Sequence, residues 1–193
     1  MKKKKSNYSN RPVINDPFER ERSIKEDRPA RFEIERDRKR DYGSKIWDDI
    51  RTFDSYGRKA IRKYDDKILK YAEKHNIDPD MTRSVMYAEN ARGHKLVLNQ
   101  WADKFKESDS PLPMNIGKRQ WASLVDKEPD DMYDPDNNIE ASTILLKRIG
   151  DRIDRPTPEK IGSIWNYIGK EKTSEFGEYV GELYRRKPWK EIE

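Results

Sequence analysis

An all-α domain carrying a charged N-terminal tail is what the sequence predicts, on three observations. Apolar residues recur at helical spacing in one segment after another. Cap residues and prolines stand where those segments begin, as in Asp78-Pro79 and Thr157-Pro158. Val, Ile and Thr never alternate with polar residues for long enough to make a strand.

The elements follow in order. Residues 1–41 hold 14 Lys and Arg against 9 Asp and Glu, with isolated Val13, Ile14, Phe18, Ile24, Phe32 and Ile34. Such a composition does not readily offset the entropy of ordering, so this stretch reads as disordered or ordered by a partner, with Phe32–Arg40 able to become a charged helix. The domain is expected over 42–193. Order should begin near Gly43, where Ile46, Trp47, Ile50 and Phe53 follow helical spacing. A second helix should span Arg58–Lys74, with Ile61, Tyr64, Ile68, Leu69 and Ala72 on one side. Asn76-Ile77-Asp78-Pro79 turns into a third, which closes near Gly93 and buries Met81, Val85, Met86 and Ala88. Leu96, Val97, Leu98, Trp101, Ala102 and Phe105 suggest another helix, followed by the loop Glu107–Pro113. Further helices are expected at Gly117–Val125, Asn137–Ile153, Pro158–Ile168 and Ser174–Arg186. Trp47, Trp101, Trp121 and Trp189 read as packing residues.

Composition excludes several chemistries. There is no cysteine, so neither a disulfide nor a thiolate metal site can form, and two histidines, His75 and His94, are too few for a zinc centre. No metal or other cofactor is expected. The tail carries the entire net charge of +5, while the remaining residues hold 28 basic and 28 acidic side chains. Nucleic-acid binding by the domain is therefore not expected, because counterion release needs clustered positive charge. Lys2–Lys5 offer at most a weak attraction to phosphate or a membrane surface. No run approaches the roughly 20 apolar residues of a membrane span. Ser6–Arg11 follows the lysines where a secretory signal would need an apolar run, so no such signal is expected.

One carboxylate stands out. Glu89 lies near the end of an apolar helix, in Met86-Tyr87-Ala88-Glu89-Asn90-Ala91. It either faces solvent, pairs with Arg92 three residues on, or is partly buried. Burial raises a carboxyl pKa, and a proton retained near neutrality is what a general acid needs. Asp103 and Asp109 are candidates for a second carboxylate, of the kind most glycosidases employ, although ordinary surface acids are the commoner reading.

Four segments resemble the lytic transglycosylases related to goose-type lysozyme. They are Tyr64–Pro79, leading into Glu89; Leu112-Pro113-Met114-Asn115-Ile116; Met132–Ala141, which contains Asp134-Pro135-Asp136-Asn137-Asn138-Ile139; and Ile161-Gly162-Ser163-Ile164-Trp165-Asn166. The Pro-Met-Asn loop, Phe176–Val180 and Lys187-Pro188-Trp189 are most similar to antibacterial effectors of contact-dependent secretion systems. The resemblance spans roughly Tyr64–Trp189 and implies a compact lysozyme-like multi-helix domain. It implies Glu89 as the catalytic acid, with Asn90, Met114, Asn115, Trp165 and Asn166 binding substrate. The substrate implied is the peptidoglycan glycan strand, cut between N-acetylmuramic acid and N-acetylglucosamine. Two positions depart from the family. Asn90 replaces the usual Ser or Thr after the acid, able to bond either an acetamido group or a loop backbone. Trp165 stands where the family has a tyrosine whose hydroxyl meets the glutamate, and it offers a flat face to a sugar ring.

A single-carboxylate mechanism needs no cofactor. Glu89 protonates the glycosidic oxygen and then removes a proton from the sugar's own hydroxyl, which closes to a 1,6-anhydro product. A catalytically silent glycan- or protein-binding module is the alternative. The chain is expected to be made in the cytoplasm and to act in the periplasm or cell wall after delivery by a secretion system. Its expected partners beyond the glycan are an immunity protein that plugs the cleft or a secretion-system component.

Overall fold

Asp78 ends a short turn and accepts a hydrogen bond from the Asp80 backbone N–H at 2.9 Å, so the helix begins at Pro79 as the cap signal requires. The computed structural model describes residues 33–35, 54–91 and 108–191. Among these residues the chain is all-α: α1 Asp54–His75, α2 Pro79–Ala91, α3 Lys118–Trp121, α4 Pro135–Arg152, α5 Pro158–Asn166 and α6 Glu175–Arg186. Single 3₁₀ turns occur at Ala122–Val125, Pro129–Tyr133 and Pro188–Lys190. The expected helices around Ile46–Phe53 and Leu96–Phe105, with Trp47, Arg92, Gly93, His94, Trp101 and Asp103, lie outside the described residues.

The centre of the fold is α2. Of its residues from Asp80 to Ala91 only Arg83 keeps appreciable surface, because α1, α4 and α6 all pack on it. Val85, Met86, Tyr87 and Ala88 are completely enclosed, each large side chain contributing about 2 kcal/mol of transfer free energy. They form one apolar cluster with Ile61, Ile68, Met114, Ile139, Leu146, Phe176 and Val180. A second cluster gathers Ile116, Trp121, Met132, Leu145, Ile149 and Ile164 around the other side of α4. Trp165 is half-buried and packs against both.

Some boundaries differ from those read from sequence. Helix α1 begins at Asp54, four residues earlier than expected, and runs through Gly57. Asp54 accepts hydrogen bonds from Arg58 and from the hydroxyl of Tyr87 on α2, partners no local pattern reveals. Gly57 is there for close approach: a Cβ would sit 2.6 Å from the Tyr87 ring. Leu69 is 45% exposed instead of facing the core with Ile68. A stripe that already contains Ile61, Ile68 and Ala72 has no room for the next residue, 100° further round. Helix α4 starts at Pro135, where the Asp134 carboxylate accepts from Asp136 N–H at 2.8 Å. Helix α5 is capped by Thr157 as expected and stops at Asn166, two residues early. Ser174 caps α6.

Part of the stretch read as a tail packs into the domain. Glu33–Glu35 run extended and not helical, with Ile34 2% exposed in the second cluster. Glu35 makes an isolated parallel bridge with Lys172. Residues 1–32 and 36–41 lie outside the described residues.

Candidate active site

Position on a helix that is buried nearly all round decides where Glu89 goes. It lies in the last turn of α2 and is 8% exposed, so its carboxylate meets protein groups on two sides. Oε1 accepts the indole N–H of Trp165 from α5 at 2.9 Å. Oε2 accepts the side-chain N–H of Asn115 at 3.0 Å. The two donors come from segments 26 and 76 residues away along the chain and fix both oxygens at once.

Each donor is held by the packing beneath it. Asn115 sits in the left-handed region at φ +55°, which asparagine tolerates better than most residues. Met114 and Ile116, on either side of it, are buried in the first and second clusters respectively, so the loop straddles the seam between them and Asn115 is turned toward Glu89. Trp165 spans the same seam. The loop backbone is gripped by two more asparagines. Asn90 Nδ2 donates to Pro113 O at 2.8 Å and to Met86 O at 2.7 Å, which uses both of its hydrogens. Asn138, completely buried in the first turns of α4, donates to Pro111 O at 3.0 Å and Met132 O at 3.2 Å and accepts from Met114 N–H at 3.1 Å. Buried polar groups satisfied in this way rigidify a loop, and losing one partner leaves the others costly.

The start of the loop is anchored separately. Tyr133 donates to Ser108 O at 2.7 Å, and Lys118 reaches Tyr133 Oη and Asp130, each at 3.0 Å. The hydrogen bond to Tyr133, and then that to Asp130, raise the Lys118 pKa above its ordinary value.

No family model, curated protein or solved structure matches this chain. The site therefore stands on its own geometry.

That geometry brings Glu89, Asn90, Asn115 and Trp165 together, with Met114 beneath them. Two of the residues expected at the cleft are engaged by the protein itself. Met114 is fully buried and supports the loop from below, and Asn90 spends its amide on the loop backbone, the second of the two roles open to it. Trp165 differs from the tyrosine of the resemblance, yet its indole N–H still supplies a donor to the acid. Asn166 is exposed at the end of α5, and Tyr167 after it is 63% exposed. Asp109 is exposed on the loop, 3.7 Å from Arg119. Among the described residues no group of three His, Asp or Glu side chains could hold a metal ion, and no helix is long and apolar enough to cross a membrane.

Sequence reasoning gave Asn138, Tyr133 and Lys118 no role. An asparagine placed beside Ile139 on the apolar side of a helix is a signal for the first, since a buried amide must find partners. Tyr133 and Lys118 carry no comparable signal, because their pairing is made only in the folded chain.

Proposed function

We propose that the chain is a peptidoglycan-cleaving muramidase of lytic transglycosylase type, with Glu89 as the general acid and base. One observation carries the reading: a carboxylate buried on the central helix, both oxygens oriented by neutral N–H donors from two distant segments. Both of these donors are uncharged, so they direct the two oxygens toward a substrate proton without themselves supplying a counter-charge. Glu89 protonates the oxygen of the β-1,4 bond between N-acetylmuramic acid and N-acetylglucosamine. It then takes the proton of the muramyl C6 hydroxyl as that oxygen closes on the anomeric carbon. Asn115 remains on the carboxylate through both transfers, and Trp165 offers its ring to the sugar.

Purified sacculi incubated with wild type and Glu89→Gln test this, with mass spectrometry of the soluble products. Glu89-dependent muropeptides with anhydro ends support it, reducing ends make it a hydrolytic muramidase, and no Glu89-dependent release overturns it. An antibacterial effector delivered by a secretion system and restrained by an immunity protein is the biological setting we propose with it. Loss of export after truncation before residue 32 is its test.

The second reading is a catalytically silent glycan- or protein-binding module. Its supporting observation is the same closure of the site, since both carboxylate oxygens already accept internal hydrogen bonds. Retention on sacculi without release of muropeptides favours it.

A further inference from the structure

The segment Glu33–Glu35 looks in sequence like part of a solvated arm, but its contacts are those of a structural component. Glu35 N–H donates to Glu171 O at 3.0 Å, and Thr173 N–H donates back to Glu35 O at 2.9 Å, the paired pattern of parallel strand addition. Ile34 between the acidic residues is turned inward and 2% exposed. The cluster to which it belongs also holds Ile164, adjacent in sequence to Trp165, and Ile116, adjacent to Asn115. Trp165 itself packs against that cluster. The strip to which Glu35 is hydrogen-bonded, Glu171–Thr173, follows directly on the turn that leaves α5, closed by Lys170 N–H on Tyr167 O at 3.2 Å. One short segment therefore pins the chain downstream of Trp165 and fills the cluster beneath both donors to Glu89.

We infer that Glu33–Glu35 is a positioning strap of the site, setting the Trp165 indole and the Asn115 amide on the Glu89 carboxylate. Ile34 supports the packing, and the two backbone hydrogen bonds of Glu35 hold it in place. The inference rests on Glu89 being the functional acid only for its consequence, since the strap itself is read from packing. A delivery role for the rest of the arm remains compatible with it, provided that the arm is not cut beyond residue 32.

The test uses the full chain and a signal independent of turnover. The indole ε1 N–H resonance of Trp165, assigned by its loss in Trp165→Phe, reports the hydrogen bond to Glu89, and the Thr173 amide reports the strap. Ile34→Ala removes the buried side chain, whereas Glu35→Pro removes the N–H that donates to Glu171 in an extended segment that tolerates proline. At a temperature where melting curves show both variants folded, each should exchange the Thr173 amide and the Trp165 indole faster than wild type by about tenfold or more. Ile61→Val, a destabilising change in the other cluster, should speed both signals by no more than its loss of global stability. Protection of the Trp165 indole unchanged in Ile34→Ala and Glu35→Pro, with or without a change at Thr173, would overturn the inference. An inactive wild type in the sacculus assay would instead overturn the proposed function and leave these readings intact.

Discussion

The two ends of α2 each bury a carboxylate, and the partners described for the two differ in kind. Asp80, 7% exposed in the first turn, lies between Arg83 at 2.7 Å and Lys187 at 2.6 Å. Burial acts to raise its pKa, but the hydrogen bonds and charge of Lys187 and Arg83 outweigh this and hold it below the ordinary aspartate value. Glu89, 8% exposed in the last turn, is met by the indole of Trp165 and the amide of Asn115, neither of which bears a charge. A cation pair locks a carboxylate in its ionised form and ties elements together, here α2 to the end of α6. The N–H donors of Trp165 and Asn115 fix direction without adding a counter-charge of their own. The first arrangement ties the fold together, and the second is the one on which the proposed chemistry rests.

The contrast can be broken by substitution. Glu89→Gln keeps shape and burial, and turnover on sacculi should fall by about 10²- to 10⁴-fold with the melting temperature nearly unchanged. Asp80→Ala should do the reverse, costing about 3 kcal/mol in denaturant unfolding because Arg83 and Lys187 are left facing a partly buried site, while activity per folded molecule stays near wild type. Asn138→Ala removes one acceptor and one donor from the Pro111–Met114 loop and a second donor from Met132 O, and about 2 kcal/mol of stability should go with them, together with some of the order of Asn115. Trp165→Phe deletes the N–H and shortens the ring that packs against both clusters. Activity should fall about tenfold, or about 1.4 kcal/mol, with smaller effects on unfolding.

Acidification sharpens the same comparison. Burial raises the pKa values of Asp80, Glu140 and Glu159, but Lys187 and Arg83 for the first, Lys74 and His75 for the second, and for the third a hydrogen bond from its own backbone N–H followed by Arg185, more than offset this, and all three end below their ordinary values. A depressed folded pKa contributes stability above the unfolded value and loses it as pH falls through the folded one. The melting temperature should therefore hold level near neutrality and drop once pH falls below about 4, and Asp80→Asn should flatten part of that drop. Calorimetry across that range checks it.

What could be read from sequence divides along the line between local and tertiary causes. Caps at Asp78, Thr157 and Ser174 announce their helices because the capping oxygen and the N–H it receives lie within three residues. The burial of Glu89 was legible from its apolar neighbours as one of three readings, but its hydrogen bonds to Trp165 and Asn115 were not, since the resemblance turns both of those side chains toward the sugar. The clamp of Asn138 was not, because it joins Pro111, Met114 and Met132 only after the loop has folded. The start of α1 lies four residues before Arg58, and the contact that holds Gly57 within it, close under the Tyr87 ring, is tertiary. Ile34 was overlooked for a related reason. A single apolar residue between Glu33 and Glu35 has no periodicity, and its burial depends on a cluster assembled from α3, α4 and α5.

The most direct test of the difference between the two carboxylates is muropeptide release from purified sacculi by wild type, Glu89→Gln and Asp80→Asn, normalised to folded protein. The account predicts anhydro-ended muropeptides from wild type and Asp80→Asn and none from Glu89→Gln. Equal release by wild type and Glu89→Gln, or none from either, would contradict it.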